Sequence, residues 1–221
     1  MSRTRTVNEI KKRAAVAVIR MTDSKKLLRV VEAIGKGGVS VVEITMTVPN
    51  AIAMIREAVA SVGNDAIVGV GSVLDERTAQ SAIDAGAQFV VGPVLKREII
   101  EAAHKQDIPA IPGCFSPTEI QTAFEAGVDI IKVFPADVVG MAFFKAVLAP
   151  MPHLSLMPTG GVSLTNAGEW LLAGACAVGV GTALLEKKAI ESGDYSRLTE
   201  NARALCASIA EARARQKQGS R

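Results

Sequence analysis

Short apolar runs alternate with amphipathic stretches along the whole chain. The runs occupy 15–20, 40–45, 66–72, 89–93, 109–113, 129–135, 154–160 and 177–182. Each is five to seven residues long, rich in Val and Ile, and bounded by Gly, Pro or polar residues. That is the pattern of strands buried on both faces. Between them, apolar positions recur at helical spacing over 24–35, 50–62, 75–84, 96–105, 118–125, 142–149 and 164–173. Asp23 or Ser24, Ser116-Pro117 and Ser163 are expected N-caps, and Gly86, Gly127 and Gly174 follow periodic segments as helix-ending glycines.

Eight strand-like runs in 221 residues give about 28 residues per repeat, the size of a βα unit. Eight such units closing on themselves make an α/β fold, the (β/α)8 TIM barrel. A doubly wound open sheet is the alternative. Its phosphate loop would be a glycine-rich turn after the first strand, where this chain has Arg20-Met21-Thr22-Asp23. No low-complexity linker divides the chain, so one domain is expected over 1–221. It comprises a helix near 7–14, a barrel near 15–190 and a C-terminal helix near 196–218.

Composition fits this reading. Hydrophobic residues make up 49% and aromatics only 4%, which suits a Val/Ile/Leu/Ala core under parallel strands better than an aromatic-rich sandwich. The net charge is +3, and much of the basic excess lies in the tail residues Arg213, Arg215, Lys217 and Arg221. A basic tail reads as a solvated end, so no nucleic-acid partner is expected. Cys114, Cys176 and Cys206 are widely spaced with no C-x-x-C, as in a cytoplasmic protein with reduced thiols. No run approaches the roughly 20 apolar residues that cross a bilayer, and no membrane association is expected.

Lys132 stands within the apolar run Ile130-Ile131-Lys132-Val133-Phe134. Burying an ammonium costs several kcal/mol unless it is paired, so such a group tends to lose its proton. A neutral amine is a nucleophile toward carbonyl carbon, the chemistry of a Schiff-base enzyme. An ion pair with a neighbouring carboxylate is the plain alternative. Glu43 follows Val39-Ser40-Val41-Val42, and alternation points it inward. It is the expected partner, either as a salt bridge or as a proton-shuttling acid, and both need the same proximity.

Strand ends matter because barrels work at their C-terminal face. The last two runs end in Pro158-Thr159-Gly160-Gly161 and Gly179-Val180-Gly181-Thr182. Glycines there let backbone N–H groups approach an anion, so a phosphate or carboxylate site is expected at Gly160, Gly161, Gly181 and Thr182. His104 is expected to be exposed on its helix, and His153 lies before the seventh run, at the opposite end of the barrel. Two such distant histidines, without H-x-H or H-E-x-x-H, give no metal-site pattern. Trp170 and Phe143-Phe144 read as packing residues, and Asp137 carries no expected catalytic role.

Together, Val42-Glu43-Ile44-Thr45, Ile131-Lys132-Val133-Phe134-Pro135 and Pro158-Thr159-Gly160-Gly161 resemble the 2-keto-3-deoxy-6-phosphogluconate (KDPG) / 4-hydroxy-2-oxoglutarate (KHG) aldolase family. Gly69-Val70-Gly71-Ser72-Val73-Leu74 and Ala85-Gly86-Ala87-Gln88-Phe89 fit it too. The resemblance implies a cytoplasmic class I aldolase with no metal or cofactor, a homotrimer that releases pyruvate from a phosphorylated keto acid. It makes Lys132 the Schiff-base lysine and Glu43 the general acid/base. It implies substrate contacts from Arg20, Thr47, Ser72, Pro93, Phe134 and Thr159, and phosphate contacts from Gly160, Gly161, Gly181 and Thr182. Many members read E-V-T-L-R-T after the glutamate; here Thr47 occupies that arginine's place. KHG and the phosphorylated galactonate analogue of KDPG therefore stay open as substrates.

Overall fold

The computed structural model describes residues 1–219; Arg221 of the basic tail lies outside the described residues. Among the described residues nine strands alternate with helices, except that the fifth and sixth follow one another directly. They are β1 (Ala15–Ile19), β2 (Val41–Thr45), β3 (Ile67–Gly71), β4 (Val90–Val91), β5 (Ala110–Ile111), β6 (Gly113–Cys114), β7 (Ile131–Val133), β8 (Leu156–Pro158) and β9 (Val178–Val180). The helices are α1 (Arg3–Arg13), α2 (Leu27–Lys36), α3 (Ala51–Val62), α4 (Glu76–Asp84), α5 (Arg97–Lys105), α6 (Pro117–Glu125), α7 (Ala136–Leu148), α8 (Ala167–Leu172), α9 (Lys187–Ser192) and α10 (Tyr195–Gly219).

All strand pairs are parallel, in a six-stranded sheet β5-β4-β3-β2-β1-β9 and a three-stranded sheet β6-β7-β8. Pro112, with no N–H to donate, separates β5 from β6. At the other junction Thr159 bridges Gly179 in parallel, and the Cys176 N–H donates to the Leu156 carbonyl at 2.9 Å. The architecture is α/β with a curled parallel sheet.

Strand alternation divides the apolar residues into two cores. Ala15, Ala17, Ile19, Val42, Ile44, Val68 and Val70 face helices such as α2 and α3, joining Leu27, Ile34 and Ile55. The opposite set, Val16, Val41, Ile67, Phe89, Ile111 and Met157, comes from both sheets and forms a second cluster. Val7 and Ile10 of α1 join this inner cluster. Each Val, Leu or Ile side chain so buried contributes about 1.5–3 kcal/mol.

Helix ends follow local chemistry where the sequence offers it. Ser116 and Glu119 form a reciprocal capping box with Pro117 in the first turn of α6. Gly86, Gly127 and Gly174 take positive φ after α4, α6 and α8. Other boundaries differ from expectation. Helix α1 starts at Arg3 rather than near 7, because the Ser2 side chain caps it by accepting from the Arg5 N–H. Ser163 is not the cap of α8: Asn166 is, and the Ser163 Oγ accepts from the Asn166 N–H in the preceding turn. Helix α7 begins at Ala136, ahead of the expected 142, with its geometry interrupted at Gly140 (φ 69°). The expected Asp23 cap holds a 3-10 turn, Ser24–Lys26, that leads into α2.

Candidate active site

Lys132 occupies the centre of β7, in register with Gly113 on one side and Met157 on the other. Glu43 is central in β2, flanked by Val18 and Gly69. Both face inward, where Lys132 is 2% exposed and Glu43 0%. Neither Glu43 oxygen has a hydrogen-bond partner, and among the described residues Lys132 and Glu43 form no ion pair. The salt-bridge alternative is therefore not realised.

Loss of water dominates the electrostatics of both groups. Burial pushes the Glu43 carboxyl above its ordinary 4.5, while Lys132 and then Arg20 pull it back. Burial likewise holds the Lys132 amine below its ordinary 10.5; Glu43 opposes the shift and Arg20 adds to it. Both shifts favour the uncharged forms, a free amine and a protonated carboxyl. That is the state in which the amine can attack a carbonyl and the acid can deliver a proton. The Phe134 ring centroid lies 4.8 Å from Lys132 Nζ, so the ring shields the amine on one side.

Glycines shape the surroundings of these groups. A Cβ on Gly71 would stand 2.5 Å from both Cδ and Cγ of Glu43. One on Gly69 would stand 2.5 Å from the Phe89 ring. The Gly-Val-Gly of β3 thus receives Phe89 at one level and the Glu43 carboxyl at the next. Ser72 follows with a positive φ of 59°, a conformation costly for a residue with a side chain.

A cavity of about 160 Å³ opens beside Phe134 and Thr159, walled by Gly160, Gly161, Gly179, Gly181 and Thr182 with Arg20 at its edge. Gly160 and Gly161 take φ of 99° and 69°. A Cβ on Gly161 would lie 2.6 Å from the Cβ of Asp137, and one on Gly160 would lie 2.9 Å from its Oδ1. Only glycine satisfies both the backbone angle and the space. Thr159 is 6% exposed, and its Oγ1 has no partner. A Cβ on Gly179 would reach within 2.5 Å of that hydroxyl.

The expected residues are not all in one chamber. Arg20 and Thr182 also line a neighbouring cavity of about 450 Å³, together with Thr47. The Thr45 hydroxyl donates to the Ile19 carbonyl at 2.9 Å, and its oxygen lies 2.6 Å from the Thr47 Oγ1. Ser72 and Pro93 stand at the ends of β3 and β4, outside the walls of the glycine-lined cavity. His104 departs from expectation. It is half-buried with Nε2 enclosed and unpartnered, and burial lowers its imidazole pKa. His153 is exposed and packs on Phe124 at 4.6 Å. Trp170 and Phe144 stack edge-on in the core at 5.1 Å, as packing residues do. Sequence reasoning missed Gly71 and Gly179 as residues that touch functional side chains. The available signal was alternation, which puts both on the inward face but does not name the side chain each one meets.

The family model for KDPG and KHG aldolase matches residues 7–201. The 2-dehydro-3-deoxy-phosphogluconate aldolase of Pseudomonas aeruginosa is 34% identical over 197 residues, 89% of this chain and 89% of the relative. The KHG/KDPG aldolase of Escherichia coli is 34% identical over 190 residues, 85% of this chain and 88% of the relative. Among solved structures, KDPG aldolase from Legionella pneumophila, with pyruvate captured as a covalent carbinolamine intermediate, superposes with a TM-score of 0.81 at 30% identity. That superposition covers 87% of this chain and 93% of the other. With its buried lysine and carboxyl on parallel strands and a family match spanning most of its length, this chain belongs to the KDPG and KHG aldolase family.

Proposed function

We propose that this chain is a class I aldolase that cleaves 2-dehydro-3-deoxy-6-phosphogluconate to pyruvate and glyceraldehyde 3-phosphate through an imine on Lys132. One observation carries the reading: a buried amine without an ion pair faces the same interior as a buried, unpartnered carboxyl. A structural ion pair would be joined, and an idle buried carboxyl would be expensive.

The Lys132 Nζ lone pair attacks the C2 ketone. One proton passes from the new ammonium to the alkoxide to give the carbinolamine; Glu43 then protonates its hydroxyl, water leaves, and an iminium forms. Glu43, now a carboxylate, takes the C4 hydroxyl proton as the C3–C4 bonding pair moves toward the iminium nitrogen. Glyceraldehyde 3-phosphate departs, the enamine is protonated at C3, and hydrolysis of the imine frees pyruvate and the amine. The carbinolamine held by the Legionella pneumophila relative is the first covalent species of this sequence.

Phosphate is assigned to Gly160, Gly161, Gly181 and Thr182, which line one cavity and whose glycines leave backbone N–H groups open to an anion. Asp137 abuts this cradle and disfavours an anion, so the Arg20 guanidinium at the cavity edge is the compensating cation. Thr159, Phe134, Ser72, Pro93 and Thr47 complete the substrate contacts in this reading. It further takes the two sheets as one closed eight-stranded (β/α)8 ring, with β5 and β6 counted as a single strand. Support comes from the Thr159–Gly179 bridge and from the inner core drawn from both sheets. The chain is read as one domain over 1–221, working as a cytoplasmic homotrimer.

Specificity constants for three acids test the assignment. The phosphorylated gluconate derivative is expected to exceed 4-hydroxy-2-oxoglutarate by at least about tenfold, roughly 1.4 kcal/mol of phosphate binding realised in the transition state. Equal values would remove the phosphate assignment. A preference for the phosphorylated galactonate epimer would move the substrate to that acid.

A further inference from the structure

We propose that Gly71 is the positioning residue for the catalytic carboxyl: its missing side chain is the seat of the Glu43 carboxyl group. The inference rests on the aldolase reading above and adds a residue to it. Glu43 has no hydrogen bond to fix its carboxyl, because both oxygens are buried without partners. Something else must hold the group in place, and the contact geometry identifies it. An ideal Cβ on Gly71 would overlap Oε1 and stand 2.5 Å from Cδ and from Cγ. These three atoms make up much of the side chain, so a change at the far end cannot relieve the overlap. Gly71 has an ordinary strand conformation, since its φ is not among the positive ones. Backbone freedom is therefore not the reason for glycine here. A glycine inside a strand forfeits side-chain packing and gives the unfolded chain extra freedom, so alanine would be favoured at this position if the space were empty.

A seat made by packing has a consequence that a hydrogen-bonded one would lack. It holds the carboxyl without stabilising its charge. No donor draws the acid toward its anion, and both oxygens remain open to the substrate. A donor in the same place would lower the carboxyl's pKa and occupy the oxygen that must exchange protons with the carbinolamine. Gly69, two residues earlier on the same inward face, provides a natural comparison. Gly69 pairs with Glu43 across the strands, yet the three atoms nearest to a Cβ there all belong to the Phe89 ring, at 2.5 Å, and not to the carboxyl side chain.

The experiment compares Gly71→Ala, Gly69→Ala, Glu43→Gln and the double variant Gly71→Ala/Glu43→Ala. Melting temperature, kcat, KM and the pH profile of kcat are measured for each. Gly71→Ala is expected to lower kcat by about 100-fold, within the range of misplaced acid/base groups, with KM little changed and the acid-side inflection of the profile displaced. Gly69→Ala is expected to lower the melting temperature while keeping the wild-type profile. The double variant, in which alanine enters the space left by the shortened Glu43, is expected to melt above Gly71→Ala. This arm decides the matter even if Gly71→Ala alone does not fold. If Glu43→Gln is inactive but Gly71→Ala keeps wild-type kcat and profile, this inference falls and the aldolase reading stands. A fully active Glu43→Gln overturns both the acid/base role and the inference. A double variant no more stable than Gly71→Ala assigns Gly71 to backbone packing and overturns the inference as well.

Discussion

Lys132→Met is expected to lose turnover by on the order of 10⁴-fold, about 5.4 kcal/mol of barrier, while folding at least as stably as the parent chain. The combination is what separates an active-site amine from a structural one. Removing one member of a buried ion pair typically costs about 3–5 kcal/mol because the other charge is stranded. Here Lys132 and Glu43 form no ion pair, and burial, with Arg20 adding to it against the pull of Glu43, disfavours the ammonium. Methionine has similar reach and no charge to desolvate, so it relieves that cost. Functional sites commonly hold such unfavourable groups at the expense of stability. Thermal unfolding and steady-state rates of the same preparation check both halves. A large drop in melting temperature would return Lys132 to the structural reading.

Glu43→Gln is expected to lower kcat by about 10²–10⁴-fold, the usual contribution of a positioned acid/base. Imine formation should slow without disappearing, because the nucleophile is intact. Stability gives a second signature whose sign follows from the raised carboxyl pKa. Well below pH 4.5, Glu43 is protonated in both folded and unfolded chains, and the two proteins differ little. As pH rises through 4.5, the unfolded chain ionises while the folded one does not, so the parent loses stability that the glutamine variant keeps. The gap in melting temperature should therefore widen from acid toward neutral pH. A gap that narrowed with rising pH would mean that the carboxylate is paired in the fold.

Much of this was legible in the chain itself, for identifiable reasons. A charged residue in an unbroken apolar run is a local signal, and it located Lys132 and Glu43 without knowledge of the fold. Strand positions followed from period and punctuation, as did the capping box at Ser116 and Glu119. What stayed hidden depends on contacts between distant segments. No local feature of Gly71 says that Glu43 fills its place, because that contact joins β3 to β2. His104 looked exposed from its helix, yet packing encloses Nε2. The split between β5 and β6 arises from Pro112 within a run that reads as continuous. The grouping of the residues expected around one acid was also hidden: they line two cavities, or neither of them, because loop geometry above the strands decides where each side chain ends.

The central claim is that the Lys132 amine is free at neutral pH and attacks a ketone. Incubation of the protein with pyruvate at pH 7, reduction with borohydride and peptide mapping by mass spectrometry test it directly. The account predicts one pyruvate-derived adduct per chain, on the peptide carrying Lys132, and none in Lys132→Met. An unmodified Lys132, or an adduct on another lysine that persists in the variant, would contradict it.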